Sequence, residues 1–189
     1  MRTIWKNGVT LAAAGVFVLF SGAALAQNNA NGITPGSGSS KTMSSADKKF
    51  AMNAAQGGLA EVELGHLAAQ KGQSEKVKQF GQRMVDDHTN ANNQLKSLAA
   101  KDNITLPTSI DAKDQALKDK LSGLSGADFD RTYMQSMVKD HQKDISEFQK
   151  EANSGSNADL KGFAAQTLPT LQEHLRMARD AEQTVMSSK

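Results

Sequence analysis

Four long stretches of this chain carry apolar or small residues at helical spacing, and one polar residue of a metal-ligand type interrupts each series. The interruptions are Glu61, His88, His141 and His174. Residues three or four positions apart share one face of a helix, so each of these side chains is expected to point into the core. Buried polar groups cost free energy unless they find partners. The four residues therefore either form a site together or weaken the fold.

The composition and periodicity of the chain predict an all-α structure. Ala, Leu, Lys, Gln and Glu are frequent, and only 5% of the residues are aromatic, a composition that favours helices over strands. A short additional helix is expected at about 111–121. The four main helices are predicted at about 46–71, 75–101, 127–152 and 157–186.

Serine residues at the predicted helix starts support these boundaries. Ser44 or Ser45 is expected to cap the first helix and Ser74 the second, because a serine side chain can accept a hydrogen bond from the free N–H groups of the first turn. Ser125 followed by Asp128 resembles a capping box with Asp in place of Glu.

The lengths of the connections predict the topology. The first and second helices, and the third and fourth, are joined by short connections and should form antiparallel hairpins. The long connection at 102–126 permits a crossover that makes the second and third helices parallel. Pro169 is expected to interrupt and kink the fourth helix, because proline removes a backbone donor. We predict a ferritin-like four-helix bundle over residues 44–187.

The N-terminal segment has the features of a secretory signal peptide. Arg2 and Lys6 precede an apolar run at 8–20, and Ala24-Leu-Ala26 precedes the expected cleavage position. The run is short and ends in small residues, so residues 1–26 are interpreted as a signal peptide rather than a membrane anchor.

The segment that follows the signal peptide is rich in Gly, Ser and Asn. Residues 27–43 are therefore expected to form a disordered linker ahead of the folded domain. Cleavage after Ala26 would place the protein in the periplasm or outside the cell. No later stretch is apolar enough to predict a membrane span.

The charge and the cysteine count exclude several kinds of protein. The formal charge of +2 falls to zero once Arg2 and Lys6 are removed with the signal peptide, so nucleic acid is not an expected partner. The chain has no Cys, which excludes disulfides and thiolate ligands. A monomer or a dimer is expected.

Three imidazoles and one carboxylate predict a site for a single transition-metal ion. Nitrogen-rich ligation suits Zn, Cu, Fe or Mn better than Ca or Mg. Asp87 and Asp140 directly precede two of the histidines and are candidates for orienting an imidazole. Met84 and Met137 lie one turn before the same histidines and would favour Cu(I), unless they only fill the core.

Whether the four inward residues can meet depends on their heights along each hairpin. Measured from the first turn, Glu61 lies at ~16 Å and His88 at ~24 Å, and the second hairpin has a similar offset. Side chains tilt toward the N-terminus of their helix, which brings the partners together. His66, about 140° from Glu61 around its helix, is expected at the surface.

The chain also resembles a bacterial family of exported proteins, domain-of-unknown-function family 4142, whose members are often labelled outer membrane proteins. The resemblance covers about residues 46–184 and implies a ferritin-like bundle and export, but no reaction. Di-iron bundles place Glu three residues before each ligand His, whereas this chain has Val85, Val138 and Leu171 there. The family resemblance rests on the motifs Gly58-Leu-Ala-Glu-Val-Glu-Leu-Gly65, Met84-Val-Asp-Asp-His88, Met137-Val-Lys-Asp-His141 and Pro169-Thr-Leu-Gln-Glu-His174.

Three functions remain open from the sequence. The first is a periplasmic protein that binds one metal ion in its core for metal handling or envelope protection. The second is a non-enzymatic stress or interaction module in which the buried His and Glu residues only hydrogen-bond to one another. The third is a redox enzyme of the superoxide dismutase type, suggested only by the ligand count.

Overall fold

A computed structural model describes residues 43–187, all within one compact unit, and these residues form five helices and no strand. The predicted signal peptide, all of the linker except Met43, and residues 188–189 lie outside the described residues. Within the described range, no helix is long and apolar enough to cross a membrane. The helices are α1 (Ser45–Lys71), α2 (Glu75–Lys101), α3 (Ala112–Ser122), α4 (Gly126–Ser154) and α5 (Ala158–Ser187).

Contacts between the ends of the two hairpins show that α1 and α4 are antiparallel. Asp130, near the start of α4, accepts hydrogen bonds from the backbone N–H groups of Gln73 and Ser74 at 2.9 and 2.8 Å. At the other end of the bundle, Phe50 of α1 packs edge-on against Phe148 of α4, with ring centroids 4.9 Å apart.

Ion pairs show that α2 and α5 are antiparallel as well. Lys76 Nζ lies 2.9 Å from Asp180 at one end, and Lys101 Nζ lies 2.8 Å from Asp159 at the other. Because α4 and α5 form a hairpin, α2 and α4 run parallel. The connection through α3 therefore crosses the length of the bundle, and the ferritin-like prediction is confirmed.

The helix ends agree with the sequence prediction in part. Ser44 and Asp47 form a complete capping box at the start of α1. Ser74 precedes α2 but its side chain makes no capping hydrogen bond, and the neighbouring N–H groups bond to Asp130 of α4 instead. The capping box expected at Ser125 was wrong: its side chain makes no capping bond, and Asp128 pairs with Arg131 at 2.6 Å.

The interruption expected at Pro169 was also wrong, since α5 continues through it as one helix. Pro169 lies on the exposed side of α5. The backbone bond lost at a proline therefore falls on the solvent face, where a helix tolerates lengthened hydrogen bonds. Phe163 and Leu171 on either side are buried and hold both halves of the helix against the core.

The core consists of two apolar clusters, and on every long helix the polar inward residue falls between them. Met43, placed in the linker on sequence grounds, is buried in the second cluster. The first cluster includes Leu64, Phe80, Met84, Phe129, Tyr133, Met137 and Val185, and the second Phe50, Leu95, Phe148, Leu160, Phe163 and Leu171.

Two glycines bring α1 and α2 into backbone contact. A Cβ atom at Gly65 would lie 2.7 Å from the carbonyl oxygen of Gly81, and a Cβ at Gly81 would lie 2.7 Å from that of Gly65. No side chain fits at either position unless the helices separate. The pair therefore sets the spacing and the register of the first hairpin.

Replacing Gly65 by Ala should lower the free energy of unfolding by about 1–3 kcal/mol, because overpacking a tight contact costs that much. Gly57→Ala is the matched control on the same helix, where a Cβ meets no atom within 4 Å. It should gain about 0.5–1 kcal/mol from helix propensity. Denaturant unfolding measures both, and equal gains in the two variants would contradict the proposed backbone contact.

A buried acid pair, Asp47 and Glu151, joins the start of α1 to the end of α4. Burial favours a higher pKa for Asp47, but hydrogen bonds from the backbone of Ser156 and Ser44 hold it below the usual value. Burial and the Asp47 carboxylate raise the pKa of Glu151 to about 7. Glu151 is thus the member of the pair that keeps its proton.

Glu151→Gln should remove a pH dependence of stability. The pKa of Glu151 rises from its usual 4.5 to about 7 on folding, so the folded state binds the extra proton between these values. Its contribution to stability is present at low pH and is lost as pH rises through 7. The variant should therefore gain stability over wild type at pH 8 and not at pH 4.5, measured by denaturant unfolding. Glu147→Gln, one turn away, is the control, and the same profile in both variants would contradict the assignment.

Candidate metal centre

The structure brings the four inward residues into one polar layer at mid-height of the bundle. His141 and His174 are completely buried, and Glu61 and His88 nearly so. One ring nitrogen from each of His88, His141 and His174 lies within 4.8 Å of those of the other two. These three buried histidines could hold a metal ion.

The register of the first hairpin explains how Glu61 and His88 meet. Because Gly65 faces Gly81, Val85 stands opposite Glu61, and His88 lies only three residues farther along, or ~4.5 Å. This height difference between Glu61 and His88 is smaller than the difference between ~16 and ~24 Å that was expected from their distances to the turn. Glu61 tilts away from the turn and His88 tilts toward it, which closes the remaining distance.

Each imidazole has an acceptor that fixes one of its ring nitrogens as the N–H. His88 Nδ1 lies 2.9 Å from Glu61 Oε2, and His174 Nε2 lies 2.8 Å from Asp87 Oδ2. His141 Nδ1 donates to the main-chain carbonyl of Met137 at 2.9 Å. We assign the tautomers from these partners. The remaining nitrogens, with free lone pairs, are His88 Nε2, His141 Nε2 and His174 Nδ1.

These free lone pairs are poorly satisfied by the protein itself. His141 Nε2 and His174 Nδ1 are 3.4 Å apart, but with the assigned tautomers neither carries a proton to share. His88 Nε2 is buried without a hydrogen-bond partner, and so is Glu61 Oε1. Buried acceptors without a donor cost free energy. A metal cation bound between these ring nitrogens and Glu61 Oε1 would interact with all of their lone pairs.

The distances fit a small transition-metal ion. Ligands at ~2.1 Å in a tetrahedral arrangement are ~3.4 Å from one another. His141 Nε2 lies at this separation from His174 Nδ1 and also from Glu61 Oε1, each 3.4 Å away. Glu61 Oε2 meanwhile orients His88, so the two oxygens of one carboxylate face two different imidazoles.

Burial keeps the three imidazoles neutral. It lowers the pKa of His88, of His141 and of His174 to about 4 in each case. The ring nitrogens therefore keep their lone pairs at neutral pH. Burial also raises the pKa of Glu61, and the nearby imidazole of His141 only partly opposes the shift.

The two candidate orienting residues, Asp87 and Asp140, differ in their contacts. Asp87 bonds to His174 and is itself bound by Arg83 one turn earlier on α2. Asp140 pairs with Lys113 at 3.9 Å, and no hydrogen bond or ion pair among the described residues joins it to a histidine. The side chains of Met84 and Met137 belong to the first apolar cluster. His66 is exposed, as its rotation around α1 predicts.

One carboxylate near the site, Asp144, was not predicted from the sequence to belong there. Burial raises its pKa, and the neighbouring Glu61 carboxylate raises it further, while His88 acts in the opposite direction. Asp144 lies three residues after His141 on α4, at the edge of the inward stripe. That spacing was the available signal, but an Asp beside Lys143 looks like an ordinary surface charge.

Comparisons with known proteins give the fold and a family, but no reaction. No curated protein matches the chain. A solved structure described as the crystal structure of a DUF305 fragment from Deinococcus radiodurans is similar, with a TM-score of 0.67 at 13% sequence identity. The match covers 75% of this chain and 98% of that chain. At that identity it shows the fold alone.

The family model described as "Domain of unknown function (DUF4142)" matches residues 33–181, which include every helix except the end of α5. The family resemblance seen in the sequence is therefore confirmed. The chain therefore belongs to the DUF4142 family.

Proposed function

We propose that this protein binds one transition-metal ion at the centre of its bundle and serves in metal handling or protection in the cell envelope. The ligands are the free ring nitrogens of His88, His141 and His174, and Glu61 Oε1 completes the set beside His141. The observation that carries the proposal is the set of contacts that the three rings make. One nitrogen of each ring lies at an acceptor of its own, and the tautomers assigned from these contacts leave three buried lone pairs close together.

The chemistry of the ligands limits the metal. Three neutral imidazoles and one carboxylate suit Zn, Cu, Fe or Mn, and a histidine that donates its second nitrogen to a carboxylate is a recurrent feature of such sites. The chain has no Cys to compete for the metal. The role in the envelope rests on the export signal expected at residues 1–26 from the sequence.

Wild-type protein should bind one Zn²⁺ per chain, and a variant with both His88→Ala and His141→Ala should bind none. Removing two imidazoles leaves too few ligands to hold the ion. Isothermal titration and elemental analysis after dialysis measure the content. His66→Ala is the matched control, because His66 is exposed on α1 and should keep full binding. Equal metal content in the double variant and wild type would contradict the proposal.

The Asp87 carboxylate, which orients His174, should affect the affinity for the metal ion. Asp87→Asn should weaken Zn²⁺ binding by ~10–100-fold, the usual effect of removing the partner that orients a ligand histidine. Asp140→Asn changes the same residue type next to another ligand histidine but breaks no bond to an imidazole. Asp140 acts on Glu61 only through its charge, so this variant should lose much less affinity than Asp87→Asn. Competition with a chelator of known affinity gives both values. Equal losses would show a general charge effect instead of an orienting role for Asp87.

A structural role is the second candidate, and one observation favours it. Each imidazole already makes one hydrogen bond within the protein, as residues that only hold a core together would. This candidate predicts that the melting temperature is the same in chelator and in excess Zn²⁺. A metal site predicts a higher melting temperature with Zn²⁺, because a ligand that binds only the folded state stabilises it.

A further inference from the structure

A polar cleft between α2 and α5 leads from the protein surface to the histidine cluster. It has a volume of about 320 Å³, and both His88 and His174 line it. Asp87, which bonds to His174, lies in the same wall with a side chain that is 22% exposed. Two of the four proposed ligands are therefore reached from one opening.

We propose that this cleft is the route by which a hydrated divalent transition-metal ion enters and leaves the site. The inference rests on the proposed metal site, and it assigns a role to residues that do not bind the metal there. The cation passes the Asp87 carboxylate at the wall of the cleft and reaches His174 and His88 before the deeper His141.

The chemistry of the walls suits a cation that is losing its water. Apart from Asp87 and the two histidines, the polar lining is made of uncharged amides and hydroxyls, including Gln94, Gln166 and Thr170. Side-chain oxygens of these types can replace the water molecules of a cation. The lining contains no lysine or arginine, and its one carboxylate, Asp87, is paired with Arg83 just outside it.

The other openings beside α2 do not reach the histidines. Near the first turn, α1 and α2 are closed by the backbone contact of Gly65 with Gly81, and the apolar cluster of Phe80, Tyr133 and Met137 fills the bundle beside the site. A cleft of about 540 Å³ lies farther along α1 and α2, but none of the four inward residues lines it. A cleft of about 460 Å³ continues between α2 and α5 and shares Gln94 and Gln166 with the proposed route.

The test is to fill the cleft and measure the rate of metal uptake. Thr170→Phe and Ala91→Phe each place an aromatic ring in the lining without changing a ligand. Thr89→Phe and Ala165→Phe are the matched controls, since both residues are exposed and outside the lining. Co²⁺ is the probe, because its visible absorption changes when imidazole nitrogens bind it. Stopped-flow mixing gives the uptake rate, and mixing the loaded protein with excess EDTA gives the release rate.

The cleft variants should take up and release Co²⁺ at least about tenfold more slowly, equivalent to ~1.4 kcal/mol of added barrier. Their equilibrium affinity should stay near that of wild type, because a blocked route slows both directions. The two controls should match wild type. Wild-type uptake rates in both cleft variants would overturn the route but leave the metal site standing. A wild type that binds no Co²⁺ or Zn²⁺ would overturn the metal site and the route together.

A variant without added bulk guards against misfolding of the filled ones. Gln94→Ala with Gln166→Ala removes two exposed side chains from the lining, together with amide oxygens that can replace water on the ion, and should not disturb the core. It should slow uptake and release alike. If neither filled variant folds, as judged by circular dichroism, an unchanged rate in this variant would overturn the route.

Discussion

Three hydrogen bonds from ring nitrogens to outer acceptors determine what the centre of this bundle can do. The Glu61 and Asp87 carboxylates and the Met137 carbonyl each hold one nitrogen of a buried imidazole. Each bond fixes a tautomer and an orientation, and leaves the second nitrogen as a lone pair in the core. Without these acceptors the rings could share protons and satisfy one another, and the layer would be an ordinary polar network.

This polar layer lowers the stability of the bundle, and the rest of the structure compensates for it. Apolar clusters above and below supply the burial that holds the helices together. The Gly65–Gly81 contact sets the register of the first hairpin, so Glu61 and His88 come within hydrogen-bond distance. The crossover connection makes α2 and α4 parallel, which places His88 and His141 at the same height. An ion bound among the lone pairs would offset part of the cost.

Much of the fold could be predicted because the spacing of apolar residues along the sequence shows which face of each helix is buried. The inward positions of Glu61, His88, His141 and His174 follow from their apolar neighbours. What the sequence could not supply depends on contacts across the bundle. Asp130 of α4 accepts hydrogen bonds from the N–H groups just before α2. Asp144 is half-buried on α4, where the Glu61 carboxylate of α1 acts on it.

The most direct test is the protonation of the three imidazoles, read by long-range ¹H–¹⁵N nuclear magnetic resonance before and after Zn²⁺ addition. The account predicts N–H protons on His88 Nδ1, His141 Nδ1 and His174 Nε2 in the metal-free protein. Zn²⁺ should then shift the ¹⁵N signals of the opposite nitrogens and leave His66 unchanged. Protons on His88 Nε2, His141 Nε2 or His174 Nδ1, or no shift of these signals with Zn²⁺, would contradict it.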